Sequence, residues 1–346
     1  MIDLRSDTLT QPCDAMRQAM MTAEVHDDVI DVDPTVDRLQ KKIAAMLGKE
    51  AAMFMPSGTM ANQIAVRLHC RPGDELICES GCHIYNYEQG GYAQLSNVAA
   101  RTIKGDNSAI QIDQLVDTIS PDNEHAVRTR LLCLENTHNK GGGVVLPYDG
   151  VVELCQWAHD NSLITHLDGA RLFNAVVASG VPAIEWAQHF DTINICFSKG
   201  LGAPVGSALI GSESMIHEMR RHRKLFGGGM RQSGFLAAAA LFALEHNIDR
   251  LADDHATAKQ IAISINQTNG LQVDLEKVET NIVVFQIDAS VATAAEFCDA
   301  AKQAGVWMYP ISKTRARAVT HLHISESDAT AAGKIIAEVA NGLNQR

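Results

Sequence analysis

Lys199 is a cation in an unusual place, because an apolar stretch leads directly to it. It is the only lysine of the segment DTINICFSKGLGAPVGSALIG, residues 191–211, with Ser198 before it and three glycines close behind. An ammonium group is costly to desolvate at the end of a core strand. Either the loop returns Lys199 to water, or its amine takes part in chemistry.

Three other segments place polar groups directly behind apolar runs. Ser57, Gly58 and Thr59 open a helix after AAMFMP, where free backbone N–H groups bind phosphate or the hydroxyls simply cap the helix. Asp168 follows LITHL, and it either caps the next turn or holds a cationic ring nitrogen. His83 follows DELICE, and it is either a stacking partner for an aromatic ring or a structural histidine.

The pattern of apolar runs predicts the elements that position these groups. Helical segments such as GTMANQIAVRLHC and YDGVVELCQWAHDN alternate with strand-like runs that are apolar almost throughout. The strand-like runs cover residues 51–56, 74–79, 98–104, 130–136, 163–168, 192–198 and 206–211. This alternation is typical of an α/β fold with a mostly parallel sheet, which binds ligands beyond the carboxyl ends of its strands.

Taken together, the strand-end groups match the needs of one cofactor. Pyridoxal 5'-phosphate requires a lysine for covalent attachment, an acid for its pyridine nitrogen and an anion site for its phosphate. Lys199, Asp168 and the segment 57–59 supply these groups. Nucleotide binding has no comparable support, because the sequence lacks G-x-x-x-x-G-K-[ST] and has no G-x-G-x-x-G after a strand.

The rest of the chain predicts further helices and a second domain. Residues 33–50 predict a helix that is capped by Asp33 and stops near Gly48. After about residue 235, an alanine-rich helical stretch leads into three strand-like runs and a final helix, which indicates a smaller α+β domain. We therefore expect a large domain over residues 1–235 and a small C-terminal domain over residues 236–346.

Composition and charge exclude several classes of protein. The 346 residues are 46% hydrophobic and 20% charged, which favours a large core over disorder. A net charge of −12 argues against a nucleic-acid partner, and the basic run RRHRK at 220–224 is either a solvated helix face or an anion site. The longest apolar run, FLAAAALFAL, is too short for a membrane span, so we expect no membrane partner.

The cysteines and the N-terminal segment indicate the compartment. Eight cysteines without a C-x-x-C pair are typical of buried thiols in a reducing compartment. The segment MIDLRSDTLT is polar and charged, unlike a signal peptide. These features predict a cytoplasmic protein.

Longer motifs carry a resemblance to a known family. The segments MIDLRSDTLT, DDV with DPTV, PSGTMANQ, LLCLENTHN, HLDGARLFNA, SKGLGAPVGS, GGGMRQSG and RAVTHL follow one another from residue 1 to about residue 325. In these motifs the chain resembles the low-specificity L-threonine aldolases. The resemblance implies pyridoxal-phosphate dependence and the aspartate aminotransferase fold (fold type I) with a mainly parallel seven-stranded sheet. It also implies a homotetramer with active sites at the subunit boundaries.

The same resemblance assigns roles to individual residues. Lys199 matches the Schiff-base lysine, Asp168 the partner of the pyridine nitrogen, and His83 the histidine stacked on the cofactor ring near the substrate hydroxyl. His125 matches a second active-site histidine, and Glu88 a motif position without an assigned role. The implied cofactor-binding set is Ser57, Gly58, Thr59, His83, Asp168, Arg171, Lys199, Lys224 and Arg231, with Lys224 and Arg231 near the phosphate and a subunit contact. The implied substrate-binding set is Ser6, Ile30, Arg171 and Arg317, with the two arginines and Ser6 at the carboxylate.

Two positions depart from the family pattern. Ile30 and Asp31 stand where the family commonly has tyrosine and glycine, and the loss of the tyrosine predicts a more apolar wall beside the substrate side chain. His323 replaces an acid, and strand alternation would place it on the same face as His321. Two histidines on one face could suggest a metal, but a paired or solvated strand face is the better interpretation, so we expect no metal site.

The implied activity is retro-aldol cleavage of L-threonine, L-allo-threonine and related β-hydroxy amino acids to glycine and an aldehyde. The base that takes the hydroxyl proton is His83, His125 or a water between them, since histidine has an ordinary pKa of about 6.5. Two alternatives stay open at this point. One is transamination or β-elimination on the same fold, and the other is a cofactor-binding assembly module without activity.

Overall fold

The computed structural model describes residues 1–345 and is built from thirteen strands and thirteen α-helices within that range. The strands are β1 (Ile2–Asp3), β2 (Ala51–Met55), β3 (Asp74–Glu79), β4 (Ala99–Ile103), β5 (Arg128–Glu135), β6 (Ile164–Gly169), β7 (Thr192–Cys196), β8 (Ser207–Gly211), β9 (Leu271–Gln272), β10 (Ile282–Ile287), β11 (Val306–Trp307), β12 (Tyr309–Pro310) and β13 (Arg315–Val319). The helices are α1 (Asp14–Met21), α2 (Pro34–Met46), α3 (Gly58–His69), α4 (His83–Asn86), α5 (Gly91–Ser96), α6 (Tyr148–Asp160), α7 (Leu172–Ser179), α8 (Ala183–Ala187), α9 (Ile216–Leu225), α10 (Gly234–His246), α11 (Leu251–Asn266), α12 (Ala294–Ala304) and α13 (Glu326–Asn344).

A seven-stranded sheet forms the centre of the molecule, in the order β2-β8-β7-β6-β5-β3-β4. The pairs β7–β6, β6–β5, β5–β3 and β3–β4 are parallel, and β8 runs antiparallel to both of its neighbours. Each of the seven apolar runs became one of these strands, so the predicted mainly parallel α/β sheet is confirmed. The strands β2, β3, β7 and β8 are buried along their whole length, as expected for strands covered on both faces.

Helix α2 illustrates how local sequence signals set the elements. Asp33 accepts hydrogen bonds from the backbone N–H groups of Thr35 (3.0 Å) and Val36 (3.1 Å), as a helix cap should. The helix runs over Pro34–Met46, and Gly48 follows with φ of +62°, a left-handed conformation that ends helices. Asp33 also accepts from Gly234 N–H (3.0 Å), so the same carboxylate joins the starts of α2 and α10.

The C-terminal part of the chain forms a second layer around a four-stranded antiparallel sheet, in the order β12-β13-β10-β9. The N-terminal strand β1 joins this part, because it pairs in parallel with β11. The two largest hydrophobic cores meet within α11, with Leu251 in the first and Ala258 in the second. The domain boundary at 235/236 stays a prediction, and we propose that the packing boundary lies within α11.

Two features of the chain are relevant to compartment and environment. None of the helices within residues 1–345 combines the length and the apolar composition that crossing a bilayer requires. All eight cysteines are free thiols, and Cys13 is the exposed one.

Candidate active site

Polar side chains converge where the parallel strands of the central sheet end. Glu135, Asp168 and Asn194 are in register across β5, β6 and β7. His83 begins α4 just after β3, and Lys199 follows β7. The structure therefore brings together the groups that the sequence placed at successive strand ends.

Lys199 lies in a tight turn that follows β7. Its carbonyl accepts a hydrogen bond from Gly202 N–H (2.8 Å), and Gly202 has φ of +80°, a conformation that favours glycine. The Thr10 hydroxyl also donates to this carbonyl at 3.4 Å. The Lys199 ammonium is close enough to Asp7 and Asp168 to lower the pKa of both carboxyl groups, while the short ion pair of Asp7 is made with Arg171. Lys199 thus lies near two buried carboxyl groups.

Asp168 is a buried carboxylate with several donors around it. Its Oδ2 accepts from Asn62 Nδ2 (2.8 Å), and its Oδ1 accepts from Ala170 N–H (3.1 Å) and Asn194 Nδ2 (3.3 Å). Burial raises the pKa of Asp168, but the charges of His83 and Lys199 and the Asn62 hydrogen bond outweigh burial, so the pKa lies below its ordinary value. Asp168 is therefore an anion at neutral pH.

His83 is held by a carboxylate that the sequence left without a role. Its Nδ1 lies 2.8 Å from Oε1 of Glu88, a buried residue. Burial lowers the pKa of His83, but the Glu88 hydrogen bond and the Asp168 charge outweigh it, so the pKa is raised. Since a carboxylate only accepts, Nδ1 carries the hydrogen and Nε2 of the neutral ring is left with a lone pair. The arrangement suits proton transfer at Nε2.

Glu88 is fixed in turn by two amides of helix α3. Asn62 Nδ2 donates to Glu88 Oε1 (2.8 Å), and Gln63 Nε2 donates to Glu88 Oε2 (2.6 Å). Both amides belong to the segment PSGTMANQ, in which only the first residues were expected to bind a ligand. Buried amides next to each other on a helix are the signal that could have indicated a polar network here.

Arg171 lies at this edge, but its guanidinium is already paired. Its Nε and Nη2 donate to the two oxygens of Asp7, each at 2.7 Å, and both side chains are buried. Burial raises the pKa of Asp7, but the Arg171 charge and hydrogen bonds outweigh it and lower the pKa to about 2. This bidentate pair uses two of the five N–H groups of Arg171, and its Nη1 lies 3.4 Å from Asn139 Oδ1.

Arg317 is the less satisfied of the two arginines. Its Nη1 donates to Asn139 Oδ1 (3.2 Å) and its Nη2 to the Arg5 carbonyl (3.3 Å), while its buried Nε has no partner among residues 1–345. Burial and the nearby Arg171 charge lower the pKa of Arg317. Ser6 follows Arg5 and caps a short helical turn through Thr8 N–H (3.2 Å). Arg317 is thus a guanidinium with capacity for a carboxylate.

The segment 57–59 forms the N-terminus of α3 at the same edge. The Ser57 hydroxyl accepts from Met60 N–H (3.2 Å), which leaves the N–H groups of Gly58 and Thr59 at the open helix end. A Cβ at Gly58 would lie 2.6 Å from Cys196 Sγ, so glycine is required for the helix to start this close to β7.

His125 and Ile30 are not brought to this cluster within one chain. His125 precedes β5, at the amino end of the strand, and its side chain is 85% exposed. Ile30 is 80% exposed, in a turn whose Asp27 accepts from the Ile30 N–H (3.1 Å). Their predicted roles at the active site stay predictions.

Lys224 and Arg231 lie on the surface that carries the Ile30 turn. Lys224 is exposed near the end of α9, and Arg231 donates to Asp27 at 2.9 Å. Arg223 is the exception within the basic run, because it is buried and pairs with Asp28 at 2.8 Å. The run 220–224 is therefore partly a structural ion pair and partly an exposed cationic face.

The histidine pair of the C-terminal region differs from its prediction. The strand β13 ends at Val319, so strand alternation does not apply to His321 and His323. His321 Nε2 lies 2.9 Å from the Asp3 carbonyl, and His323 Nε2 accepts from Gln11 N–H (2.9 Å). The two rings have separate partners.

One cluster within residues 1–345 has the spacing of metal ligands, with one atom each from His83, Glu88 and Asp168 within 4.8 Å of one another. Amide N–H groups of Asn62 and Gln63 point at the two carboxylates. Such hydrogens oppose a cation at the same oxygens. The expected lack of a metal stays a prediction.

Sequence comparison identifies the family. The profile of the beta-eliminating lyase family matches residues 3–289. The chain is 43% identical to low-specificity L-threonine aldolase 1 of Arabidopsis thaliana over 332 residues, covering 94% of this chain and 93% of the relative. It is also 43% identical to the low specificity L-threonine aldolase of Escherichia coli K12 over 326 residues, covering 94% of this chain and 95% of the relative. The chain belongs to the low-specificity L-threonine aldolase family.

The fold agrees with this aldolase family. A threonine aldolase structure from Leishmania major superimposes with a TM-score of 0.84, at 18% identity, covering 98% of this chain and all of that one (100%). At this level of identity the likeness concerns the fold, which confirms the expected fold type.

The residues of this aldolase fit pyridoxal 5'-phosphate. A carboxylate has about four acceptor positions. Three of those of Asp168 are taken by Asn62, Asn194 and Ala170, which leaves one on Oδ2 for a single N–H donor. Lys199 supplies an amine beside it, and the open N-terminus of α3 suits a phosphate.

Asp7 provides a test of the buried ion pair. Asp7→Asn leaves the Arg171 guanidinium without a counter-charge, so we expect the free energy of unfolding in urea to fall by about 3–5 kcal/mol at pH 7. The pKa of Asp7 falls from 3.8 to about 2 on folding, so the stabilisation is present above pH 3.8 and is lost toward pH 2. The difference between the two proteins should therefore shrink over that range.

The matched control for Asp7 is Glu338→Gln, which breaks an exposed ion pair with Lys334. It should change the free energy of unfolding by less than about 1 kcal/mol. Equal losses for the two variants would contradict a buried charge pair at Asp7.

Glu88 provides a test of how His83 is held. Glu88→Gln removes the negative acceptor at Nδ1, so the raised pKa of His83 should move downward, measured by NMR titration of the His83 ring. Glu124→Gln is the control, because Glu124 lies beside the exposed His125 and not beside His83. If the His83 titration is the same in the Glu88→Gln variant and the wild type, Glu88 does not set its charge.

Proposed function

We propose that the protein is a pyridoxal-phosphate-dependent lyase that cleaves L-threonine, L-allo-threonine and related β-hydroxy amino acids to glycine and an aldehyde. The single observation that carries this proposal is the ionised, buried Asp168 beside Lys199 and His83 at the strand ends. The family relatives bear the name low-specificity L-threonine aldolase, which supports the same substrate class.

The cofactor would be held by residues of three elements. Lys199 would bond it covalently, Asp168 would accept the hydrogen bond of its ring nitrogen, and the segment 57–59 would bind its phosphate. When bound, pyridoxal 5'-phosphate supplies a ring that accepts the electrons of the broken Cα–Cβ bond. Asp168 contributes because an ionised carboxylate keeps a proton on the ring nitrogen.

His83 is the proposed base for the substrate hydroxyl. Glu88 fixes the hydrogen on Nδ1 and leaves Nε2 as the proton acceptor. The same carboxylate stabilises the cationic ring once the proton has arrived, which is the role of an orienting acid next to a catalytic histidine. A second histidine, His125, could act on the same proton only from a neighbouring subunit.

Arg317 is the proposed partner of the substrate carboxylate. Its guanidinium has no carboxylate partner among the described residues, whereas Arg171 already makes a bidentate pair with Asp7. We therefore assign Arg171 to positioning, since its Nη1 and Arg317 Nη1 share Asn139 Oδ1. Ser6 lies next to the Arg5 carbonyl that accepts from Arg317, so it borders the same position.

The oligomeric state and the cellular location are part of the same proposal. We propose a cytoplasmic homotetramer in which the surface of Ile30, Lys224 and Arg231 contacts a neighbouring subunit and its cofactor phosphate. This surface exposes apolar side chains together with the cations, including Ile30 (80% exposed) and Leu225 (63%). Exposed apolar patches rimmed by polar residues mark interaction sites, which supports a subunit contact here.

The test of the activity is incubation of the purified protein and pyridoxal 5'-phosphate with L-threonine. We expect glycine and acetaldehyde in equal amounts, nearly abolished in Lys199→Ala and retained in Lys334→Ala, which changes an exposed lysine of α13. Ammonia with a 2-oxo acid would indicate β-elimination, and a 2-oxo acid with transfer of the amino group would indicate transamination. Either result, or no product, would overturn the proposal.

Arg317 is tested against a neighbour on the same strand. Arg317→Gln removes the charge that faces the substrate carboxylate, so kcat/KM for L-threonine should fall by roughly 100-fold, mainly through KM. Arg315→Gln is the control, because Arg315 is an exposed arginine two residues earlier in β13. Similar losses in both variants would show that Arg317 has no special contact with the substrate.

A further inference from the structure

A chain of buried hydrogen bonds runs from Asp168 away from the proposed substrate site. Asn62 Nδ2 lies 2.8 Å from Asp168 Oδ2, and Asn62 Oδ1 lies 3.1 Å from His166 Nε2. His166 Nδ1 lies 2.9 Å from Thr192 Oγ1, and Thr192 Oγ1 lies 3.0 Å from His69 Nε2. All five residues are buried, with His69 the most exposed at 8%.

The direction of every hydrogen bond in the chain follows from the orientation of the Asn62 amide. The Asn62 amide must donate to Asp168 and Glu88, because a carboxylate only accepts. Asn62 Oδ1 is therefore an acceptor, and His166 must carry its hydrogen on Nε2. His166 Nδ1 then accepts from the Thr192 hydroxyl, and that hydroxyl accepts from His69 Nε2–H.

All four donors consequently point toward Asp168. Aligned hydrogen bonds in a low-dielectric interior polarise one another, and here the positive end of each bond faces the carboxylate. The two imidazoles remain neutral: burial lowers the pKa of His166 to about 4, and burial with the His166 charge lowers the pKa of His69 to about 4. A neutral ring is required, since an imidazolium at His166 could not accept from Thr192.

We propose that His69, Thr192, His166 and Asn62 form a one-directional hydrogen-bond chain that keeps Asp168 ionised, with His166 and Thr192 as positioning residues for the cofactor ring nitrogen. The proposal rests on the proposed function for its catalytic consequence, although the direction of the chain does not depend on turnover. The other charged groups that face Asp168 are His83 from α4, Lys199 from the turn after β7 and the carboxylate of Glu88, which has an oxygen within 4.8 Å of Asp168. All three act on Asp168 from outside the chain.

Asn62 connects the chain to both Asp168 and Glu88. One Asn62 hydrogen goes to each carboxylate, and its oxygen accepts from both His166 Nε2 and Asn194 Nδ2 (each 3.1 Å). Turning the amide over would direct its oxygen at two carboxylates and its hydrogens at two donors. The amide therefore has one allowed orientation.

Neutron diffraction of the deuterated holoenzyme tests the direction of the chain, because it locates each deuteron. We expect deuterium on His166 Nε2 and His69 Nε2, none on His166 Nδ1, and the Thr192 deuteron directed at His166. Deuterium on His166 Nδ1, in either the neutral or the cationic ring, would overturn the proposal whether or not the enzyme cleaves threonine.

Variants of Thr192 test the consequence for catalysis. Thr192→Val removes the hydroxyl at constant shape and should lower kcat roughly 10-fold with little change in KM, while Thr192→Ser should restore most of it. Thr165→Val is the matched control, since Thr165 is a buried strand threonine that bonds Asp191 and not the chain, and its kcat should be unchanged. Equal kcat for the valine and serine variants of Thr192 would overturn the positioning role. If the wild-type protein does not cleave threonine either, the result contradicts the proposed function. The deuteron positions alone would then show whether the hydrogen-bond chain has the proposed direction.

Discussion

The arrangement of this site depends on one constraint, which is that Asp168 stays ionised although the protein buries it. A buried anion is stable only where donors and cations surround it. The donors are the amides of Asn62 and Asn194 and the Ala170 N–H, and the neighbouring positive charge comes from Lys199 and, when its ring is protonated, from His83. These groups come from α3, β7, the end of β6, α4 and the turn after β7. One carboxylate therefore fixes the relative positions of five neighbouring segments, which is why the strand ends must meet at this edge.

The other charged groups of the site follow the same rule, with the partly buried Arg317 as the exception. Asp7 has Arg171, Glu88 has His83 and two amides, and Glu135 accepts from the backbone N–H groups of His83 and Asn139. Arg317 lacks a carboxylate and shares Asn139 with Arg171. Each buried anion of the site has its own partner, whereas the guanidinium of Arg317 has no carboxylate. This arrangement favours the binding of an anionic ligand group at Arg317. In the proposed function, the substrate carboxylate would pair with Arg317 and leave the existing ion pairs intact.

The sequence predicted the fold and the strand-end residues because those signals are local. Seven apolar runs are each complete within a few residues, and Ser57, Asp168 and Lys199 stand directly beside them. The Asp7–Arg171 pair could not be predicted in this way, since its members are 164 residues apart and come together only in the folded chain. Glu88 had no assignable role because the amides that hold it lie on a different element. His125 and Ile30 are exposed in the single chain, so their predicted roles rest on the proposed subunit contact.

Helix α3 links the predicted phosphate-binding segment to the carboxylates of Asp168 and Glu88. Its first residues form the open N-terminus, Asn62 and Gln63 lie one turn later, and His69 is its last residue. Asn62 gives one hydrogen to Asp168 and the other to Glu88, so the partner of the ring nitrogen and the partner of the proposed base share one amide. Neither carboxylate can move or change its charge without affecting the other through Asn62. Asp168 and Glu88 are therefore coupled by a helix rather than by a loop, and their relative positions follow from where α3 packs against β7.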